Sequence, residues 1–277
     1  MLLAIDVGNT QTVVGLLESN IGGAYGSSSS AIGANGEGRV KGVIRHWRVA
    51  TVADRTADEY GLLLSELLKL AHLGMDVIEG LAVASSVPQA SAALKEAARR
   101  YFVKLPFVII QPGVRSGIPI LYDNPKEVGA DRVANAVAAY DLYGGPAIVV
   151  DLGTATTFDA ISVKGEYLGG AITPGVDISL DALFEHAAAL RRVELVLPRN
   201  VVGKSTVESI QSGVLFGFAG LVDAICRRME QEIGQATVVA TGGLSELLVP
   251  LSERIQYREP WLTLHGLRLV FERNVDR

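Results

Sequence analysis

The chain has 277 residues, of which 49% are hydrophobic, and this is enough for one large domain or for two smaller ones that each have a core. Its formal net charge of −5, a sequence pI of about 5.5 and the lack of a clustered basic stretch argue against nucleic acid as a partner. A single cysteine, Cys226, excludes an intrachain disulfide and a cysteine metal cluster, and its apolar neighbours favour a buried helical residue over a catalytic thiol.

The N-terminal part of the chain indicates three strands, at about residues 2–5, 12–17 and 43–51. The first apolar run meets Asp6 with no basic segment before it, and no run along the chain approaches the ~20 apolar residues of a membrane span. We therefore expect a cytoplasmic protein that does not contact a membrane. Residues 20–39 are rich in Gly and Ser and predict a flexible insertion at a hairpin tip; a phosphate loop is disfavoured there because GxxxxGK[ST] is missing.

Helices and strands alternate after the third strand. TADEYGLLLSELLKLAHLG has apolar residues at helical spacing, and Thr56 with Glu59 can form a capping box at its start. GLAVASSVP and PFVIIQP are typical of strands, and QASAALKEAARRYF between them is typical of a helix. Asn124 is placed to cap the next helix, Gly129 is a candidate interruption of it, and from Asp131 onward the apolar spacing is helical.

A motif then recurs. DVGNTQT near the start of the chain is matched by DLGTATT after the strand PAIVV, and both have the order strand, Asp-x-Gly turn, strand. Each copy opens a strand-rich unit that continues into helices, so the pattern predicts a duplicated architecture of two similar halves. We place the halves at residues 1–118 and 119–277.

The second half continues with two predicted helices, at residues 178–190 and 207–233, the latter capped by Ser205. ATVVATGG predicts a strand that ends in the turn at residues 241–243. SELLVPLSERI and LTLHGLRLVFERN predict two closing helices, since their apolar residues recur at steps of three and four.

The two Asp-x-Gly turns are suited to holding phosphate. Glycine lets main-chain N–H groups approach an anion closely, and threonine hydroxyls add donors, here Thr10, Thr12, Thr154, Thr156 and Thr157. Asp6 and Asp151 would repel phosphate unless a cation lies between, and Mg²⁺ is typically held by one or two carboxylates together with substrate phosphates. Neither turn contains lysine, so cations and N–H groups must neutralise the charge. The alternative, that each Asp-Gly pair only shapes a turn, stays open for either copy alone.

The paired turns resemble those of the sugar kinase and actin superfamily, and the chain is more narrowly similar to type III pantothenate kinases. The matching stretches are DVGNTQTVVG, DNPKEVGADR, VVDLGTATTFDAI, GEYLGGAITPG, VVGKSTVESIQSG and LTLHGLRLVF. The resemblance implies an α/β fold of two similar ribonuclease H-like, actin-like halves. Each half would be a mixed sheet flanked by helices, with an ATP cleft between the domains.

The resemblance further implies a kinase that transfers the γ-phosphoryl group of ATP to pantothenate, the first step of coenzyme A biosynthesis. Asp131 in GADR would be the general base, and Mg²⁺ would accompany ATP with Asp6 as a metal-site residue. Asp151 would bind a monovalent cation, K⁺ or NH₄⁺. Contacts with ATP are implied for Asp6, Val7, Gly8, Asn9, Thr10, Gln11, Thr12, Val13 and Thr154. Contacts with pantothenate are implied for Tyr122, Gly129, Ala130, Asp131, Arg132 and Thr206, the last in the neighbouring subunit's site of a homodimer.

Other functions remain open at this point. The chain could be a catalytically silent ATP-binding regulator on the same fold, another small-molecule kinase, or an actin-like filament protein. On the residues alone, Asp131 could simply cap a helix and Arg132 could form a surface salt bridge. The presence of Asp6, Asp131 and Asp151 together favours an enzyme.

Overall fold

The computed structural model describes residues 1–18, 38–187 and 190–275. These residues fold into two compact units. Unit 1 contains residues 1–18, 40–142 and 261–275, and unit 2 contains residues 38–39, 143–187 and 190–260. The predicted insertion at residues 20–39 lies almost wholly outside the described residues. At its base, the Glu18 N–H donates a 2.9 Å hydrogen bond to the Gly42 carbonyl.

Unit 1 is built on a five-stranded mixed sheet. In sheet order its strands are β3 (Val43–Ala50), β2 (Gln11–Leu17), β1 (Leu2–Val7), β4 (Gly80–Ser85) and β5 (Phe107–Ile109). The first three strands are antiparallel, whereas β1, β4 and β5 are parallel. The helices of this unit are α1 (Ala57–Leu70), α2 (Pro88–Tyr101), α3 (Ala130–Tyr143) and α7 (Leu262–Val275).

Helices cover both faces of this sheet, which explains why β1 and β4 are almost continuously apolar. Leu3 and Ile5 of β1 pack with the apolar sides of α1 and α2. Leu2 and Ala4 point to the opposite face and pack with α7. Because side chains alternate along a strand, Asp6 shares the face of Leu2 and Ala4.

Unit 2 repeats this order. Its strands are β10 (Tyr257–Arg258), β9 (Thr237–Thr241), β6 (Ala147–Leu152), β7 (Ala155–Ile161) and β8 (Tyr167–Pro174). Its helices are α4 (Val176–His186), α5 (Thr206–Ile233) and α6 (Ser245–Leu248). The strand β6 corresponds to β1, and both have the same burial pattern with the aspartate as the one half-buried residue. The duplication predicted from the two turns is therefore present as two sheets of identical strand order.

The observed division of the chain differs from the expected halves. The expected division fell after residue 118, but unit 1 also takes in α3 and the C-terminal α7. The reason is packing: α7 lies against β1 and β4, and the backbone of Gly266 contacts that of Ala134 in α3.

Three helix predictions need correction. The Asn124-capped helix is only the 3₁₀ turn Pro125–Glu127, and α3 begins separately at Ala130, so the predicted interruption at Gly129 is confirmed. The helix predicted for SELLVPLSERI ends at Leu248 and continues as the 3₁₀ turn Val249–Leu251, because Pro250 cannot take a place in an α-helix interior. The helix α4 ends at His186 instead of residue 190.

The helix α5 is long and apolar enough to cross a membrane by length and composition alone. Its buried residues, among them Leu215, Val222 and Cys226, belong to the core of unit 2. Core packing therefore explains why the buried side of α5 is apolar. The length and composition of α5 are only weak evidence for a membrane span.

Candidate active site

The first Asp-x-Gly turn is the tip of the β1–β2 hairpin in unit 1. The Gly8 N–H donates a 3.0 Å hydrogen bond to the Gln11 carbonyl and closes the turn. Asn9, Thr10 and Gln11 are exposed, whereas Asp6 is half-buried at the end of β1. The tip thus presents its backbone and polar side chains to the surroundings.

Thr51, just after β3, braces this tip. Its hydroxyl donates a 2.8 Å hydrogen bond to the Gly8 carbonyl, and its N–H donates to the Thr10 carbonyl at 3.0 Å. Because the Thr51 proton is used on Gly8, the Thr12 hydroxyl must be the donor in its 2.9 Å contact with the Thr51 hydroxyl. Thr51 therefore hydrogen-bonds two carbonyl oxygens of the tip. Because free carbonyl oxygens repel phosphate, engaging them in this way makes the tip better suited to bind an anion.

Ser86 supports the same turn from the end of β4. Its N–H and its hydroxyl both donate to the Val7 carbonyl, at 3.0 and 3.1 Å. The sequence analysis missed both Thr51 and Ser86. Ser86 carried a usable signal, because it follows a strand parallel to β1, and the carboxyl ends of parallel strands share the edge where ligands bind.

The second turn, at the tip of the β6–β7 hairpin in unit 2, is one residue shorter. The Gly153 N–H donates to the Ala155 carbonyl at 3.2 Å, and Thr154 is exposed. The shorter turn makes Thr156, paired with Leu152, the counterpart of Thr12, which pairs with Val7. Like Thr12, Thr156 is buried.

The helix α4 begins directly against this second turn. A Cβ on Gly175 would overlap the carbonyl oxygens of Thr154 and Gly153, so only glycine fits. Gly175 is the N-cap of α4 and has no side chain to bond the first helical N–H groups. A helix start of this kind is suited to an anion, because its N–H groups and its dipole both favour negative charge.

The turn at residues 241–243 packs on Asp151. Gly242 has φ +90°, and a Cβ there would lie 2.6 Å from Asp151 Oδ1 and 2.6 Å from the Leu152 carbonyl. The Leu244 N–H then donates to the Leu152 carbonyl at 3.3 Å. Both the positive φ and the close approach require glycine here.

A cavity of about 410 Å³ lies beside the second turn in unit 2. Most of its lining residues are apolar, and two of the polar ones, Arg192 and Asp181, form a 2.7 Å ion pair. It is lined by Asp177, Leu180, Asp181, Phe184, Arg192, Val193, Leu195, Leu244 and Leu247. Leu244 connects the cavity to the turn through its bond to Leu152. Its size and lining suit a small planar apolar group attached to a phosphate chain.

Asp131 lies in the first turn of α3. Its Oδ1 accepts a 2.8 Å hydrogen bond from the Arg132 N–H, and the preceding Gly129 is close to the carboxylate. Arg132 is almost fully buried and Tyr122 is half-buried, whereas Thr206 is exposed at the start of α5, behind the Ser205 cap.

Neither histidine nor cysteine forms a catalytic or metal cluster in the part of the chain that the structure describes. Among those residues no group of three or more His, Cys, Asp or Glu side chains is placed to hold a metal ion. Burial raises the pKa of the Cys226 thiol to about 12, so this side chain is no nucleophile near neutral pH. A single carboxylate at each turn fits a cation that takes its other ligands from phosphate oxygens.

Comparison with known proteins decides the family. A family model for type III pantothenate kinases matches residues 2–228. A type III pantothenate kinase of Streptomyces griseus is 51% identical over 285 residues and covers 100% of both chains. One from Moorella thermoacetica is 51% identical over 275 residues, covering 99% of this chain and 100% of its own. The chain belongs to the type III pantothenate kinase family.

Solved structures agree with the fold that this family membership implies. A ROK family protein from Streptococcus pneumoniae in complex with sucrose aligns with a TM-score of 0.52 at 12% identity, over 98% of each chain. The ethanolamine utilization protein EutJ from Carboxydothermus hydrogenoformans aligns with a TM-score of 0.51 at 14% identity, over 97% of this chain and 89% of its own. At this identity the likeness shows the fold alone. The predicted α/β fold of two actin-like units, each with a mixed sheet flanked by helices, is confirmed.

Proposed function

We propose that this member of the type III pantothenate kinase family transfers the γ-phosphoryl group of ATP to the primary hydroxyl of pantothenate. The product is 4′-phosphopantothenate, the first intermediate on the way to coenzyme A. The observation that carries the proposal is the 51% identity over the full chain to relatives of that name. A cytoplasmic location is part of the proposal, because ATP is the phosphoryl donor.

The phosphates of ATP are bound by residues 6–13 of the first turn and by Thr154 of the second. Support comes from the bracing of the first turn by Thr51 and Ser86, which turns carbonyl oxygens inward. Support also comes from the α4 start beside the second turn, where Gly175 leaves the helical N–H groups without a side-chain cap. Backbone donors of this kind take the place of the lysine that both turns lack.

Cations complete the charge balance. The Asp6 carboxylate binds Mg²⁺ that is also held by the phosphates, and the Asp151 carboxylate binds a monovalent cation, K⁺ or NH₄⁺. The backbone of Gly242 lies beside Asp151 Oδ1, where a Cβ would be 2.6 Å from that atom. Bound cations neutralise the charge on the phosphoryl oxygens during transfer.

The base of ATP lies in the cavity beside the second turn. Its apolar walls suit the two faces of a purine, and Leu244 joins the cavity to the phosphate-binding turn. Asp177 can accept a hydrogen bond from an exocyclic amino group, whereas Asp181 is paired with Arg192.

Asp131 is the general base. Phosphoryl transfer depends mostly on positioning and charge stabilisation, so the base only has to accept the hydroxyl proton late in the reaction. As a carboxylate in the first turn of α3, Asp131 is chemically able to accept that proton. Tyr122 and residues 129–132 contact pantothenate, and the Arg132 guanidinium pairs with its carboxylate in charge-assisted hydrogen bonds.

The enzyme acts as a homodimer that pairs through α5. Gly213, Gly217, Gly220 and Ala224 form an exposed face of this helix, and a Cβ added to any of these three glycines would meet nothing within 4 Å in its own chain. Each helical glycine costs about 1 kcal/mol relative to alanine, so three of them indicate that a second helix comes close. The segment before α5 and the first turn of this helix also expose apolar side chains, namely Val196, Leu197, Val201, Val202 and Val207. Thr206, at the start of the same helix, then reaches the substrate of the neighbouring subunit.

Two other functions are disfavoured. A silent regulator would have no need for Asp131 at a helix start, and family membership over the full chain argues against a kinase for another small molecule. Either would still bind ATP, so ATP binding alone does not separate them from the proposed enzyme.

The experiment is a coupled assay of ADP release from ATP with and without pantothenate, and with and without K⁺. We expect pantothenate-dependent release in the wild type that requires K⁺ and falls by at least about 100-fold in Asp131→Asn. Asp123→Asn, at an exposed aspartate in the segment before α3, is the matched control and should stay active. Wild-type protein without pantothenate-dependent release would overturn the proposed function, whereas an active Asp131→Asn variant would overturn only the assignment of the base.

A further inference from the structure

The helix α3, which carries the proposed base, contacts α7 through specific polar and backbone contacts. From Arg132 to Ala139 every residue of α3 is buried, and most of these side chains are small and apolar. Besides Arg132, this stretch contains the polar residue Asn135, which follows Asp131 by four residues on the same face of the helix. Asn135 is fully buried, and its Oδ1 accepts a 2.8 Å hydrogen bond from the Thr263 hydroxyl of α7.

Beside this bond the backbones of the two helices touch. A Cβ on Gly266 would overlap the carbonyl group of Ala134. No side chain fits there, so α7 contacts α3 at the residue next to Asn135. The Thr263–Asn135 bond and the Gly266 contact together form the first crossing point of the helices.

A second crossing point lies near the other end of α3. His265, which is 4% exposed, contacts Asp141 Oδ2 through Nε2 at 2.8 Å. Arg268 donates to His265 Nδ1 at 2.9 Å, so Nδ1 must be unprotonated and Nε2 must be the donor to Asp141. Asp141 is ten residues after Asp131, about 15 Å along the helix axis. The two crossing points, at Asn135 and Asp141, are six residues apart on α3, about 9 Å along the helix axis, and together they fix both the axial position and the rotation of α3.

The opposite side of α7 is tied to the strands below the first phosphate turn. Leu264, Leu267 and Phe271 are buried with Leu2 and Ala4 of β1, on the sheet face that Asp6 shares. The same cluster contains Ala134 and, partly buried, Ala130 of α3. Within unit 1, α7 is thus packed both against β1, which carries Asp6, and against α3, which carries Asp131 in its first turn.

We propose that α7 sets the position of the Asp131 carboxylate relative to the first phosphate turn, and that Thr263 and Asn135 are positioning residues for phosphoryl transfer. This inference rests on the proposed function of Asp131. Neither side chain is placed on the substrate or on ATP; both act through the orientation of α3. Position matters at this site because a misplacement of about 1 Å can cost a factor of about 100 in rate.

The test uses three substitutions in the full-length protein. Thr263→Val keeps the shape of the side chain and removes the hydroxyl, whereas Thr263→Ser keeps the hydroxyl. Thr56→Val is the matched control, because Thr56 caps α1 in the same unit and lies outside both crossing points. We expect kcat for pantothenate phosphorylation to fall by about 10- to 100-fold in Thr263→Val while the KM for ATP changes by less than about twofold. Thr263→Ser should restore most of kcat, and Thr56→Val should keep it.

The inference is overturned if Thr263→Val retains the wild-type kcat, or if Thr56→Val lowers kcat as much as Thr263→Val does. It is also overturned if the KM for ATP rises while kcat is unchanged, since that would point to general loosening of the turn. Should Thr263→Val not fold, as judged by circular dichroism, Thr263→Ala takes its place with the same expected results. Failure of the proposed function is seen separately, as a wild type without pantothenate-dependent turnover, whereas an active Asp131→Asn variant would remove only the base assignment on which this inference rests.

Discussion

The Thr51 hydroxyl donates a 2.8 Å hydrogen bond to the Gly8 carbonyl, which lies 43 residues earlier in the chain. Together with its N–H bond to the Thr10 carbonyl, this contact fixes the tip of the first hairpin from the adjacent strand. Among the hydrogen bonds of the described residues, the second turn is held instead by Gly175, whose N–H donates to the Thr154 carbonyl at 3.2 Å. The two copies of one motif are therefore supported by different residues.

Removing the brace should weaken ATP binding. Thr51→Val leaves the Gly8 carbonyl without its hydroxyl donor, and the loss of such a bond is worth about 1–1.5 kcal/mol. We expect the KM for ATP to rise about 5- to 10-fold, with a smaller effect on the KM for pantothenate. Steady-state kinetics with each substrate varied in turn would measure this. Thr51→Ser keeps the hydroxyl and should behave as the wild type; an unchanged KM for ATP in Thr51→Val would argue against the first turn as a phosphate site.

The cavity beside the second turn gives a prediction for the nucleotide base. Leu247→Glu replaces an apolar wall by a third carboxylate beside Asp177 and Asp181. We expect the Kd for ATP, measured by calorimetry, to rise about 5- to 10-fold, the equivalent of about 1–1.4 kcal/mol of apolar contact. Leu70→Glu adds the same charge at an exposed position of α1 and serves as the control. Equal Kd values for the two variants would show that the adenine base of ATP does not bind in this cavity.

The exposed glycines of α5 allow a test of the dimer without damage to the protomer. Gly217→Leu meets no atom of its own chain within 4 Å of the new Cβ, and leucine is about 0.8 kcal/mol more favourable than glycine in a helix. We expect an unchanged or higher melting temperature together with a shift from dimer to monomer in light scattering.

Ala92→Leu, at an exposed position of α2, adds a leucine away from this face and should remain a dimer. A dimeric Gly217→Leu variant, or a monomeric wild type, would contradict pairing through α5. If Thr206 serves the neighbouring site, monomeric Gly217→Leu should also lose most of its pantothenate-dependent activity.

The Asp141–His265 contact should make stability depend on pH. The hydrogen bond from His265, with further help from Arg273 and Arg268, lowers the pKa of the Asp141 carboxyl below its usual value. Because the native pKa is the lower one, the stabilisation is fully present above the unfolded pKa of about 3.9 and is lost as the pH falls through the native value. Allowing for the partial exposure of Asp141, we expect Asp141→Asn to be less stable by about 1 kcal/mol at pH 7.

Urea unfolding of the wild type and Asp141→Asn from pH 7 down to pH ~3 would check this. The difference between their free energies of unfolding should be constant above pH ~5 and should shrink below pH ~4. Asp54→Asn, at an exposed position of the same unit, controls for the loss of one negative charge. A difference between wild type and Asp141→Asn that stays the same at every pH would mean that the carboxylate charge contributes nothing.

Local features of the fold were predictable from the sequence. The capping box of Thr56 and Glu59 forms as expected, and Ser205 caps α5 by accepting from the Glu208 N–H. Such features depend on residues three or four apart. The repeat of the Asp-x-Gly turns was predictable for a related reason, because each turn lies between two apolar strands that are close in sequence.

Residues that act across long chain separations were not predictable. Gly242 packs on Asp151, and Thr263 bonds Asn135 from 128 residues away, yet nothing in the local sequence of either indicates its partner. Gly175 reads as an ordinary turn residue until the start of α4 is seen against Thr154. The extent of unit 1 escaped prediction for the same reason, because it depends on how α7 packs against β1 and β4.

The most direct test is to identify the product by mass spectrometry after incubating the protein with pantothenate, ATP, Mg²⁺ and K⁺. We expect pantothenate to gain one phosphoryl group with wild-type protein, and unmodified pantothenate with Asp131→Asn. Pantothenate left unmodified by folded wild-type protein, with ATP bound, would contradict the assignment of this chain as a pantothenate kinase.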